Sequence, residues 1–120
     1  MGIVFVSAAV ILRIPSVSSE ILVEAVRSRH YGIAKTLVIT GANPNSKMND
    51  DSGRSLLHLV SASGDVDMIH FLVRHGAEVD LRATFGVTPR AEAQMAHQTE
   101  AERVLVEYGA VPVPPDLHVP

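Results

Sequence analysis

Apolar residues recur at spacings of three and four in several short runs, the pattern of helices that bury one face. One run holds Leu22, Ala25 and Val26, and a second holds Ile33, Leu37 and Val38. A third, over residues 56–63, follows Ser55, whose hydroxyl suits an N-cap, and is stopped by Gly64. Asp65 opens a fourth, over residues 66–75, with negative charge at the positive helix end; Gly76 closes it in the left-handed conformation. An extended stretch follows over residues 77–82. A fifth helix is predicted after Thr88 as cap, with Pro89 at the first helical position, where its missing N–H costs nothing. Thr99 and Glu102 have capping-box spacing for a sixth, which carries Ala101, Val104, Leu105 and Val106.

These runs are copies of one unit. Gly-Ala pairs begin at Gly41, Gly76 and Gly109, separated by 35 and then 33 residues, and Gly53 and Gly86 are also 33 apart. Two short antiparallel helices and a turn cannot bury both apolar faces alone, so such a unit stacks on its own copies as a solenoid. The two additional residues between the first and second Gly-Ala fall within residues 47–52 and lengthen one hairpin tip.

At these positions the chain resembles the ankyrin repeat, whose unit runs G-x-T-P-L-H-x-A-A-x-x-G, then a second helix and G-A-D-V-N. The second copy reads Gly53-Arg54-Ser55-Leu56-Leu57-His58-Leu59, then Gly64, then Gly76-Ala77-Glu78-Val79-Asp80. The third has Gly86-Val87-Thr88-Pro89 and Gly109-Ala110; the first is partial, with Leu37-Val38-Ile39-Thr40-Gly41-Ala42-Asn43-Pro44-Asn45. The resemblance implies an all-α fold, an ankyrin-repeat helical solenoid with short hairpin-like loops. Its repeats would lie at about 19–49, 50–82 and 83–113, after an apolar segment or cap at 1–18 and before a Pro-rich tail at 114–120. Arg90 stands where the family places a core leucine and Ala91 where it places histidine, as suits a terminal cap with a polar outer face, the favoured reading, or a first helix that is shifted or imperfectly packed. His97 replaces the glycine between helices and weakens that turn. The resemblance assigns His58 to a structural hydrogen bond with neighbouring backbone.

Composition narrows the function. A chain of 120 residues, 47% hydrophobic and 19% charged, holds one domain or a few repeats and excludes two catalytic domains. Zero cysteines exclude disulfide frameworks, thiolate metal sites and thiol nucleophiles. A net charge of -3, ten scattered basic residues and only five aromatics argue against nucleic-acid binding. The longest uncharged apolar run, residues 3–12, is closed by Arg13 and Pro15 and is too short to span a membrane. Residues 1–14 read as a signal-like segment without its basic start, or a near-myristoylation site with Val6 where Ser or Thr belongs. They also read as an element covering an apolar face, or as a non-native or alternatively spliced start. No membrane association is expected except through them.

Catalytic patterns are missing. There is no G-x-x-x-x-G-K-[ST], G-x-G-x-x-G, H-E-x-x-H or calcium-loop spacing. Ser55 lacks the second glycine of a nucleophile elbow. His70 and His75 are five apart and point to different helix faces, which disfavours a metal site. The acidic pairs Asp50–Asp51, Asp65–Asp67 and Glu100–Glu102 read as solvated tip and helix-start charges. No cofactor and no metal are expected.

The remaining candidates are surface positions of the repeat. The first tip presents Lys47, Met48, Asp50, Asp51, Ser52 and Arg54, and the second Arg82, Thr84, Phe85 and Val87. Inner first-helix positions add Arg27, Ser28, Ala62, Ser63 and Met95. Phe85 reads either as an interface anchor or as a cover for the neighbouring hairpin. Arg54 and Arg82 flank one groove and suit carboxylates on a partner. Val113-Pro114-Pro115 resembles a polyproline II ligand without a basic flank, or an extended tail or severed linker. The expected function is non-catalytic: an interaction module, adaptor or scaffold for another protein, monomeric by itself, cytoplasmic or nuclear. The alternatives are a small ankyrin-type inhibitor or regulatory subunit of an enzyme such as a kinase, and a regulatory fragment of a larger protein.

Overall fold

The structure, a computed structural model, describes residues 15–113. The apolar segment before Pro15 and the proline-rich tail, and with them their targeting and ligand readings, lie outside the described residues. Six α-helices follow in order: α1 (Pro15–Arg27), α2 (Tyr31–Ile39), α3 (Leu56–Ser63), α4 (Val66–Arg74), α5 (Pro89–Met95) and α6 (Thr99–Glu107), with a 3-10 turn at Thr84–Gly86. They pair as α1/α2, α3/α4 and α5/α6, and the pairs stack through α1 on α3, α3 on α5 and α4 on α6. Among the described residues there is no strand, only one bridge between Lys47 and Ser55. The all-α solenoid is therefore the observed architecture. Its core runs through every helix pair, from Leu22 and Val26 through Leu56, Leu57, Ile69 and Leu72 to Val104 and Leu105.

The first helix of each later repeat is started by side-chain chemistry. Ser55 Oγ accepts from the His58 N–H, and His58 Nδ1 accepts from the Ser55 N–H at 3.1 Å, closing a capping box with histidine in the reciprocal role. In α5 the Thr88 hydroxyl accepts from the Ala91 N–H at 3.2 Å, but Ala91 has no ring, so only half the box is made.

The second helices start differently. Asp65 opens α4 as expected, though its carboxylate makes no cap bond, whereas α6 begins at Thr99 itself with Gln98 as N-cap, so the expected capping box of Thr99 and Glu102 is corrected. The backbone supplies the start. His30, Asp65 and Gln98 donate their N–H groups five residues back, to Ala25, Val60 and Ala93, at 2.8, 3.0 and 2.8 Å. Each bond is set by a left-handed residue just before it: Arg29, Gly64 and His97, at φ 59, 77 and 58°. Only the glycine holds that conformation without strain. At the far end of α4 the helix stops at Arg74 with His75 as C-cap, one residue short of expectation.

Hairpins join the repeats. In the first, Met48 N–H bonds to Arg54 O at 2.8 Å; in the second, Ala83 N–H bonds to Val87 O at 2.8 Å. Five residues, 49–53, lie inside the first bond and three, 84–86, inside the second, so the two extra residues sit at the first tip. The tips hold each other: Thr84 donates its N–H to Ser52 O at 2.9 Å and its hydroxyl to Asp51 O at 2.7 Å. A second clamp recurs with the period. Asn45 Oδ1 accepts from the Glu78 N–H at 2.7 Å, and Asp80 Oδ1 accepts from the Val111 N–H at 3.0 Å.

At the core-leucine position of the third repeat, Arg90 pairs its Nε with Glu102 Oε2 at 3.2 Å and reaches Ala110 O at 3.4 Å with Nη1. Arg103 pairs with Glu100 and Glu107 on the same helix.

Candidate functional site

The tip-to-tip bonds bring Asp51, Ser52 and Thr84 side by side, and the neighbouring α5 adds Glu92 and Met95 one turn apart. Together with Arg54, Phe85 and Val87 these line an open groove of about 440 Å3. Phe85 dominates it. The ring is 89% exposed, and the backbone beneath it is left-handed at φ 64°. For a side chain with a Cβ that conformation costs about 1–2 kcal/mol, and nothing in the fold recovers it through packing of the ring. The alternative of a hairpin cover does not describe a side chain this exposed.

Two candidates are placed differently from expectation. Val87 is buried, 8% exposed, with its carbonyl taken by the His58 ring at 2.7 Å; it forms the floor of the groove and is not displayed. Arg54 is engaged within the fold: its Nε lies 2.8 Å from Glu92 Oε1 of the next repeat, a partly buried ion pair without an aligned hydrogen bond. Arg82 is exposed but lies outside the groove lining, so the two arginines do not flank one groove. Glu92 is the residue sequence reasoning missed. Its signal was present, since it precedes Met95 by three on one helix face.

The first tip opens onto a separate cleft of about 490 Å3, where Lys47, Met48 and Asp50 face Glu20, Glu24 and Arg27 of α1. The Ser52 hydroxyl and N–H both donate to Asp50 Oδ1, at 2.6 and 3.0 Å, and hold its carboxyl below the ordinary carboxylate range. Ser63 is drawn elsewhere. Its hydroxyl donates to Asp65 Oδ2 at 2.7 Å, beside the Tyr31 hydroxyl, which donates to the same oxygen. Ala62 and Ser63 are only partly exposed and line neither of these two clefts.

The titratable groups serve the fold. Burial pushes the His58 ring down to about 4, so it is neutral at physiological pH, with Nδ1 accepting from Ser55 and Nε2–H donating to Val87 O. Burial, then the bond to Asp65, pushes the Tyr31 hydroxyl up to about 12 and keeps it a donor. His70 bonds Tyr108, and His75 bonds the Phe71 carbonyl at 2.8 Å. Among the described residues no three histidine, aspartate or glutamate side chains are grouped to hold a metal ion, and no helix is long and apolar enough to cross a membrane.

Comparison with known proteins agrees with the repeat geometry. A family model of ankyrin repeats in three copies matches residues 22–116. A putative ankyrin repeat protein of Rickettsia felis is 28% identical over 96 residues, 79% of this chain and 25% of its own length. The histone-lysine N-methyltransferase EHMT1 of Mus musculus is 43% identical over 44 residues, and that of Homo sapiens 41%, each covering 37% of this chain. The chain spans 3% of the length of those two proteins and 25% of the rickettsial one. Ankyrin repeats are in general protein–protein interaction modules and typically non-catalytic. Period, caps, hairpins and family match coincide over one stretch, and the chain belongs to the ankyrin repeat family.

Proposed function

We propose that the chain is a non-catalytic recognition module that binds another protein through the groove between its two hairpin tips, with Phe85 as the anchor. The observation that carries this reading is a large aromatic side chain left 89% exposed at a hairpin tip, since aromatic residues are enriched among interface anchors. The groove is preorganised by the Thr84 bonds to the first tip and by the Arg54–Glu92 pair, so little ordering entropy is lost on binding. Met95, itself part-exposed, extends the apolar surface beside the ring. With Glu92 balanced by Arg54, Asp51 is left as the net charge of the groove lining and suits a partner segment with an apolar residue and a neighbouring cation.

Affinity capture with the intact chain tests this, run beside a Phe85→Ala variant. A partner retained by the intact chain and lost by the variant supports the reading; equal retention overturns it. The module is read as monomeric and as working in the cytoplasm or nucleus, which the family resemblance supports.

A second reading has one specific support. The relatives are proteins in which this stretch is a small part of the length. On that reading the module is the recognition part of a larger protein, or the regulatory part of an enzyme whose chemistry lies in another domain. Immunoblotting native extracts with an antibody to the repeats separates the two: a band near 13 kDa, the 12.9 kDa of this chain, favours the free module, and a larger band the embedded one.

A further inference from the structure

The N-terminal end of the solenoid has the chemistry of an interior surface. In the second repeat Leu56 and Met68 are 0% and 1% exposed because the first repeat stacks over them. Their counterparts 35 residues earlier, at the offset of the first two Gly-Ala pairs, are Ile21 and Ile33. These are 38% and 54% exposed, on either side of an apolar cleft of about 350 Å3 whose rim carries Glu20 and Glu24. Third-repeat counterparts Pro89 and Ala101 are again buried. Positions that are buried in the second and third repeats and apolar but open in the first mark a stacking face that lacks its cover.

We infer that residues 1–14 of this chain are that cover, docking over Ile21 and Ile33. The segment is joined directly to Pro15, the first residue of α1, and Ile21 lies six residues into that helix, about 9 Å along its axis. Fourteen residues reach about 21 Å as a helix and about 46 Å extended, so either form returns over the cleft. The composition fits the face. Ile3, Val4, Phe5, Val6, Ile11 and Leu12 supply apolar surface, and the only charged side chain is Arg13, opposite in sign to Glu20 and Glu24 on the rim. The tether raises the effective concentration to about the millimolar range, which favours this segment over a second copy of the chain or a repeat from another protein. This inference is independent of the groove at Phe85, which lies on other elements.

The full chain tests it, because without native cysteines every introduced thiol pair is unique. Cysteine is placed at Ile33, combined in turn with Val4→Cys, Phe5→Cys and Val10→Cys, and oxidised mildly at low protein concentration. The same three are combined with Ile39→Cys, exposed on the same helix and similarly distant along the chain. At least one Ile33 pair is expected to close within the chain about tenfold or more faster than its Ile39 counterpart. Equal rates overturn the inference, and disulfide-linked dimers from Ile33→Cys would assign the face to a second copy instead. A second variant, Ile33→Glu, reads the same question through stability. A covered Ile33 predicts a melting midpoint lowered by about 5 °C. An open one predicts no more change than Ile39→Glu, an exposed control, and that result also overturns the inference.

Discussion

His58 in the second repeat donates its Nε2–H to the carbonyl of Val87, at the base of the second hairpin, over 2.7 Å. The same ring accepts from the Ser55 N–H at its own helix start. One imidazole thus ties a cap to the loop that carries Phe85; the Ser55 bond requires its neutral form with Nδ1 as acceptor, whereas the Val87 bond only requires the proton on Nε2.

Acidification should break the cap side of this tie and place a charge on a buried ring. The folded ring titrates at about 4, against an ordinary value of 6.5. Because the folded value is depressed, the unfolded chain takes up the proton first, and stability falls as pH drops from about 6.5 to about 4. The loss should reach about 3 kcal/mol. Urea unfolding at a series of pH values checks this. A His58→Gln variant should be less stable at pH 7 and should lose most of the slope across that window.

His97→Gly should stabilise the chain. His97 is exposed at φ 58°, in the turn where the second repeat has Gly64. Relief of about 1–2 kcal/mol of backbone strain is offset in part by the larger entropy of glycine in the unfolded chain. A net gain of about 0.5 kcal/mol, or roughly 3 °C in melting midpoint, is expected by thermal unfolding.

Ser61 is fully buried and its hydroxyl has no partner in the fold. It stands at the second alanine of the family motif. Ser61→Ala should therefore raise stability, by about 1 kcal/mol, since it removes a desolvated and unpaired polar group. A loss of stability in denaturant titration would show that the hydroxyl has a partner after all.

The Arg54–Glu92 pair should couple the second repeat to the third. Separate and combined replacement, Arg54→Met and Glu92→Gln, should show an interaction of about 1 kcal/mol in a double-mutant cycle. Arg54→Glu sets two carboxylates against each other and should destabilise more than Arg54→Met.

What the sequence made legible was local. Ser55, Thr88 and Pro89 announce helix starts through their own side chains, and the Gly-Ala spacing gives the period, so the repeats and their stacking follow. The start of α4 was legible from Gly64 and Asp65, but those of α2 and α6 were not, because a left-handed residue and a backbone bond replace the side-chain cap; Arg29 and His97 do this without the glycine that would signal it. The groove was half legible. Phe85 stands out at a tip, but the pairing of Arg54 with Glu92 and the burial of Val87 depend on how one repeat sits on the next, which no local pattern carries.

The most direct test of the recognition surface is a single substitution read two ways. Phe85→Gly removes both the ring and the strain beneath it, so melting temperature and affinity for the captured partner should move in opposite directions. The account predicts a rise of a few degrees in Tm and a Kd weakened by about tenfold or more. An unchanged Kd, or a Tm that falls together with the affinity, would contradict it, because Phe85 would then be irrelevant to binding or part of the packing that holds the hairpin.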